Sequence, residues 1–178
     1  HGALSTWLID VINLVTGNFD REGGPMFATP AVDLIGIAKL TGINGTFGTF
    51  HSKVRRLPEF NGELPIAALA EEIEHPESVI RAAIVIAGNP VLSAPNGPRI
   101  ERALRSLDLI VAVDPYQNET TRLADYILPP TAALEHEHYD LALYQLAVRN
   151  ATRWNDALFE PAPGALHDWQ ILLRLLEE

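Results

Sequence analysis

The side chains best placed to hold a polar ligand are Asn89, Ser93 and Asp114, which stand at the ends of two short apolar runs. Ile84-Val85-Ile86-Ala87 breaks into Gly88-Asn89-Pro90-Val91-Leu92-Ser93, and Leu109-Ile110-Val111-Ala112-Val113 breaks at Asp114. A third run closes in Leu128-Pro129-Pro130. In an open parallel sheet, ligands sit beyond the carboxyl ends of the strands. Gly88 would let a ligand approach the backbone where a Cβ would intrude. The Asn89 amide donates and accepts from one plane, which suits a base edge or a phosphate oxygen. Ser93 and the amides opening the next helix favour an anion. A plain strand-to-helix turn that needed a glycine would use the same residues. Asp114 resembles the acidic residue that ends the second strand of a dinucleotide fold and bonds a ribose hydroxyl. An Asx-turn before Pro115 is its alternative. The G-x-G-x-x-G fingerprint is missing, since the next glycine after Gly88 is Gly97, and this disfavours NAD.

Other chemistry is thin. Glu135-His136-Glu137-His138 could place two histidines on one strand face, but no convincing third ligand accompanies them, so a polar surface strand is favoured over a metal site. His51, His75 and His167 are isolated, and no Ser-His-Asp set can be chosen. Asp125 precedes its strand, at the opposite edge from Gly88 and Asp114, and reads as structural. No catalytic residue and no metal ligand is assigned.

The elements that must position these residues form an α/β pattern. The chain has 178 residues, 47% hydrophobic and 20% charged, enough for one domain with its own core. A net charge of −10 argues against a nucleic-acid binder. The absence of cysteine removes disulfides, thiolate metal sites and Cys-ligated iron–sulfur clusters from these residues. No apolar run is long enough for membrane insertion. The chain opens His1-Gly2 and reads as one α/β domain, residues 1–178, excised from a larger protein, with His1 a candidate tag remnant.

Residues 4–50 are expected to form a helical lead-in with loops. Leu4, Trp7, Leu8, Val11, Ile12 and Val15 recur at helical spacing, with Ser5 or Thr6 as the N-cap and Gly17 as the terminator. A loop over Asn18–Pro25 and a second helix from Val32 to Leu40 follow, then a flexible turn at Asn44–Gly48. His51 to Glu63 reads as an exposed loop whose Lys53, Arg55 and Arg56 are solvated. Pro65 starts a helix to about Ile73 with Glu71, Glu72 and Glu74 outward. Residues 80–135 are the core β-α-β-α-β unit, including a helix at 97–106, a shorter one at 119–124 capped by Asn118, and a strand at 126–128. Leu141 to Val148 suits a strand or a helix. Residues 160–178 are a linker and an amphipathic C-terminal helix. The expected fold is α/β, a three-layer, Rossmann-like, mostly parallel sheet with helices on both faces.

Four spaced segments then carry a family resemblance: Leu14-Val15-Thr16-Gly17-Asn18-Phe19-Asp20-Arg21-Glu22-Gly23-Gly24, Ala87-Gly88-Asn89-Pro90-Val91-Leu92-Ser93, Val113-Asp114-Pro115-Tyr116, and Glu119-Thr120-Thr121-Arg122-Leu123-Ala124-Asp125-Tyr126-Ile127-Leu128-Pro129. In that order they resemble the molybdopterin oxidoreductases, the group of formate dehydrogenases, nitrate reductases and dimethyl sulfoxide reductase. Asp20 stands where that family usually has glycine, and His136-Glu137-His138-Tyr139 replaces a frequent Gly-x-x-x-Asn stretch after Glu135.

The resemblance implies that the chain is one of two α/β domains that each hold an arm of a molybdopterin guanine dinucleotide carrying molybdenum or tungsten. Gly88, Asn89, Pro90 and Ser93 would line the guanosine and phosphate, Asp114 would bond the guanine or ribose, and Tyr116 and Thr120 would lie on the same loop. It further implies a [4Fe-4S] cluster elsewhere in the full-length chain, and as partners the remaining domains of the polypeptide and an electron-transfer subunit. The isolated chain is expected to bind no cofactor as it stands, to be inactive and to self-associate, and the parent enzyme is expected in the cytoplasm. The alternatives are a nucleotide- or sugar-binding regulatory module, or a degenerate structural or subunit-contact domain on the same fold.

Overall fold

A computed structural model describes residues 2–42 and 45–177. In chain order its elements are α1 (Gly2–Val15), α2 (Leu34–Thr41), β1 (Phe47–His51), β2 (Pro58–Phe60), α3 (Leu69–Glu74), β3 (Ala82–Ile86), α4 (Pro90–Ser93), α5 (Gly97–Arg105), β4 (Leu109–Val113), β5 (Tyr126–Ile127), β6 (His138–Tyr139), β7 (Trp154–Asn155) and α6 (Asp168–Glu177). The chain falls into two compact units, His1–Ile43 with Glu137–Asn155 and Asn44–His136 with Asp156–Glu178.

In the first unit the helical spacing of Leu4 to Val15 becomes α1, but the helix starts at Gly2, ahead of the expected cap. Thr6 is one turn inside, and its hydroxyl donates to the Gly2 carbonyl at 3.2 Å. Gly17 ends the helix at φ +71°, as its type suggests. The following loop closes on itself through Asp20 N–H to the Pro25 carbonyl (2.7 Å) and Gly24 N–H to the Arg21 carbonyl (2.9 Å). A Cβ on Gly24 would lie 2.0 Å from the Asn18 carbonyl oxygen, so close packing requires glycine there. Asp33 caps α2 by accepting the Gly36 N–H at 3.0 Å, and Gly42 stops it at φ +74°. Of the alternatives for Leu141–Val148 the helical one forms only as a short 3-10 helix over Leu143–Leu146, started by Asp140, which accepts the Leu143 N–H. β6 and β7 pair antiparallel, with Tyr139 stacked on Trp154.

The second unit carries the sheet. β3, β4 and β5 pair in that order, all parallel, with Ile84 beside Val111 and Val111 beside Tyr126. The α/β reading therefore holds. α3 and α5 cover one face, where Ala70, Ile73, Ile100, Ala103 and Leu104 close a core over Ile110. Strand side chains alternate between faces, and on the opposite face Ile84 is 59% exposed, Ile86 47% and Tyr126 63%. Gly97 opens α5 because a Cβ there would sit 2.1 Å from the Val91 carbonyl oxygen. Asp125, read as structural, takes the Ile110 N–H at 2.8 Å while its own N–H returns to the Ile110 carbonyl, which registers β5 against β4.

Expectations fail in this unit at one hairpin and at the charged residues around it. The turn expected at Asn44–Gly48 and the loop expected at His51–Glu63 hold an antiparallel hairpin, Phe47 opposite Phe60 and His51 opposite Pro58 (Asn44 lies outside the described residues). The deciding residue is Glu59, a fully buried carboxylate. It accepts the Thr49 N–H at 2.8 Å, the Gly62 N–H at 2.9 Å and the Thr46 hydroxyl. These bonds replace regular ladder contacts, so the segment shows no period-2 apolar pattern. Arg55 is also not simply solvated: it pairs with Glu71 at 2.5 Å, and Glu72 accepts the Lys53 and Val54 N–H groups. Glu71 and Glu72 thus dock the hairpin instead of facing solvent.

Candidate functional site

The site is built where β3 and β4 end. Ala87, the first residue past β3, takes a left-handed conformation, φ +47°, and donates its N–H to the Val113 carbonyl at 2.9 Å. The left-handed residue of this turn is thus an alanine, and not Gly88. A Cβ on Gly88 would find the Ile86 carbonyl oxygen at 3.5 Å, an ordinary contact. The chain's own packing does not require glycine at 88, since a Cβ there meets its neighbours at ordinary contact distances. Gly88, Asn89, Pro90 and Ser93 share a hollow of about 420 Å³ with Ile66 and Leu69.

Asn89 is the centre of a polar cluster. Its Nδ2 donates to Glu119 Oε2 at 2.7 Å, and its Oδ1 accepts the Thr120 hydroxyl at 2.7 Å. Thr120 Oγ1 also accepts the Val91 N–H at 3.1 Å and is completely buried. Asn118 extends the cluster: its Oδ1 caps Thr120 and Thr121 at 2.9 and 3.0 Å, and its Nδ2 donates to Asp114 at 3.2 Å. The chain Asp114–Asn118–Thr120–Asn89–Glu119 fastens the loop after β3 to the loop after β4. Of the sequence-predicted residues, Asn89 and Thr120 bond directly, and Asp114 joins them through Asn118.

Asp114 is buried and makes the Asx-turn named as its alternative, accepting the Tyr116 N–H at 2.8 Å. The Tyr116 ring is exposed. Pro90 occupies the first position of α4. Ser93 lies at the far end of that helix, which is only four residues long, and its hydroxyl donates to the Asn89 carbonyl at 2.9 Å. The helix expected from 97 forms as α5, and α4 is a separate short turn ahead of it. Sequence reasoning missed Glu119 as part of the site and saw Asn118 only as a cap. Their signal was the polar run Asn118-Glu119-Thr120-Thr121 following Asp-Pro, the composition of side-chain-bonded turns.

The Asn89 hydrogen bond holds the Glu119 carboxyl below its ordinary range, with the Arg122 charge adding to it. Arg122 also reaches Glu101 at 3.5 Å, and Glu101 is pulled down chiefly by its bond to Arg105. Two larger hollows lie away from this cluster. One, about 650 Å³ and mostly apolar, lies between Leu128–Pro129, Ala162–Leu166 and Ile171. The other, about 460 Å³, lies in the first unit against Gly23, Gly24 and Asn150. Volume favours the first, but its lining offers Arg174 as the one charged side chain, whereas the smaller hollow opens onto the Asn89 cluster. Among the described residues no three His, Asp or Glu side chains are grouped to hold a metal.

Comparison with known proteins agrees with the four segments. The chain is 37% identical over 98 residues to the assimilatory nitrate reductase catalytic subunit of Bacillus subtilis, covering 54% of this chain and 13% of that protein. It is 30% identical over 110 residues to the F420-dependent formate dehydrogenase subunit alpha of Methanocaldococcus jannaschii (62% and 16%). It is 30% identical over 119 residues to formate dehydrogenase H of Escherichia coli (67% and 16%). The matches therefore span only 13% to 16% of these relatives. The molybdopterin oxidoreductase family model matches residues 1–178, and the chain belongs to that family.

Proposed function

We propose that this chain is a domain of a molybdopterin-dependent oxidoreductase and holds one guanosine-phosphate arm of a molybdopterin guanine dinucleotide at the ends of β3 and β4. The observation that carries the reading is the pairing of a glycine that lines a hollow with a fastened polar cluster. Gly88 leaves room that its own chain does not need, next to an amide whose position is set by Glu119 and Thr120. This suits a nucleotide arm, which needs close backbone approach and fixed donors and acceptors.

When bound, the cofactor supplies the redox chemistry through molybdenum or tungsten, and the protein supplies orientation and electrostatics. In this reading Gly88, Asn89, Pro90 and Ser93 line guanosine and phosphate. Tyr116 and Thr120 belong to the facing loop, and Asp114 acts by shaping that loop as well as by any direct bond. We further propose that residues 1–178 are part of one α/β domain whose uncovered sheet face receives a second helix layer in the whole enzyme. The metal ligand, a [4Fe-4S] cluster and the electron-transfer contacts lie on other segments, so this chain alone does not turn over substrate.

Titration calorimetry of the 178-residue chain with GDP tests the placement. The nucleotide arm alone, unlike the whole cofactor, which other domains also grip, is expected to bind saturably, weakened about ten-fold in Gly88→Val, where the branched side chain enters the hollow. Asp114→Asn, which can still accept the Tyr116 N–H, should weaken it less than Asp114→Ala. GDP binding unchanged in both Gly88→Val and Asp114→Ala would overturn the site.

A further inference from the structure

Hydrogen-bond logic assigns the sense of the Asn89 amide, and this carries a role for a residue outside the predicted site. Thr120 Oγ1 accepts the Val91 N–H, so its single proton is left for the Asn89 oxygen. The other amide atom must then be the nitrogen, and it faces Glu119. An ionised carboxylate only accepts, so a flipped Asn89 would set two oxygens against each other there and leave the Thr120 hydroxyl without an acceptor. The Glu119 carboxyl is held below its ordinary range, chiefly by this same bond, and it stays ionised at neutral pH. By the donor and acceptor count of a primary amide, one N–H and one lone pair of Asn89 remain for a ligand, in a fixed order.

We propose that Glu119 is a positioning residue of this site: by accepting one Asn89 N–H it secures, together with the Thr120 hydroxyl, the sense of the amide, and so helps decide which hydrogen-bonding edge of a purine nucleotide the strand-end loop admits. The proposal rests on the reading that the site holds a nucleotide arm. It makes Glu119 a determinant of discrimination, with no contact to the ligand itself. A glutamine at 119 can donate as well as accept, so at nearly constant volume it removes the carboxylate's demand for the Asn89 nitrogen and leaves the Thr120 hydroxyl alone to hold the amide's sense. Arg122, which acts on Glu119 only through its charge, is the neighbouring control.

The test has two readouts on the 178-residue chain. The first needs no ligand: the side-chain amide resonances of Asn89 in a 15N-labelled sample. Glu119→Gln is expected to shift and broaden them as the two senses exchange, while Arg122→Gln leaves them in place. The second is the ratio of GDP to ADP affinity, expected to fall about ten-fold in Glu119→Gln with an unchanged melting temperature, the scale of one charge-assisted hydrogen bond. A purely structural role would lower stability and both affinities together, leaving the ratio untouched. An Asn89 resonance that Glu119→Gln does not move overturns the positioning role, whatever the nucleotides do. If that resonance moves but wild-type chain binds neither nucleotide, the amide assignment stands, and the nucleotide reading falls together with the discrimination role built on it.

Discussion

At the scale of single residues, the chain shows how a buried acid can organise a segment that carries no periodic pattern. Three hydrogen bonds hold the Glu59 carboxyl from the ordinary 4.5 down to about 2, the Thr46 hydroxyl contributing most and the Gly62 N–H next, against the opposing effect of burial. A carboxyl depressed on folding adds stability above its unfolded value and loses it as pH falls through the folded one. The β1–β2 hairpin should therefore hold at pH 5 and above and weaken between about pH 4.5 and 2. Melting curves at pH 6, 4 and 2.5 check this: Glu59→Gln should melt lower than wild type at pH 6, and the difference should shrink as wild type is acidified. A gap that stays constant with pH would contradict the assignment. Gly97 gives a second residue-level prediction. Its φ is ordinary, so the demand for glycine is purely one of space against a backbone oxygen. Gly97→Ala should cost about 2 kcal/mol or more in denaturant unfolding, because no flexible side chain can yield.

At the scale of elements, the parallel β-α-β order was legible because three apolar runs with abrupt polar ends are what buried strands look like. The ends of β3 and β4 do lie side by side, as parallel pairing of those runs requires. Glu59 explains why the hairpin was not legible: its carboxylate replaces contacts that would otherwise leave an alternating pattern. The coupling of the two strand ends was hidden for a related reason. Asn89 and Glu119 are 30 residues apart, and nothing in local composition says that a loop asparagine and a loop glutamate will meet. Asp114 is the instructive middle case, since its position was legible but its two oxygens turn inward to Tyr116 and Asn118. The short α4 was not legible, because a single turn of four residues starting at a proline leaves no apolar periodicity to read.

At the scale of the whole molecule, much apolar surface stands open. α1 has no buried residue, with Trp7 59% and Ile12 58% exposed, and one face of the parallel sheet is bare at Ile84 and Ile86. Contiguous apolar patches of this kind mark surfaces that take partners, in keeping with relatives several times longer than this chain. The isolated chain should self-associate, with a light-scattering mass that rises with concentration. The double variant Ile84→Lys/Ile86→Lys, on a solvent-facing strand surface, should lower that mass while keeping the far-ultraviolet circular dichroism. A strictly monomeric wild type at high concentration would contradict the expectation. Among the described residues no helix is long and apolar enough to cross a membrane, so these patches are not spans.

The bond between Asn89 and Thr120 also says something about the order in which this unit acquires its shape. It joins groups 31 residues apart, and closing a free loop of that length costs about 3 kcal/mol of chain entropy. Three hydrogen bonds at roughly 1 kcal/mol each only match that cost. The pairing of β3 with β4 must therefore come first and deliver the two loops to each other. Polar contacts made after the rate-limiting step leave the folding rate alone and slow unfolding. Refolding kinetics of Thr120→Val should then show a faster unfolding limb and an unchanged folding limb, which would make the ligand cradle the last part of the sheet to set and the first to let go.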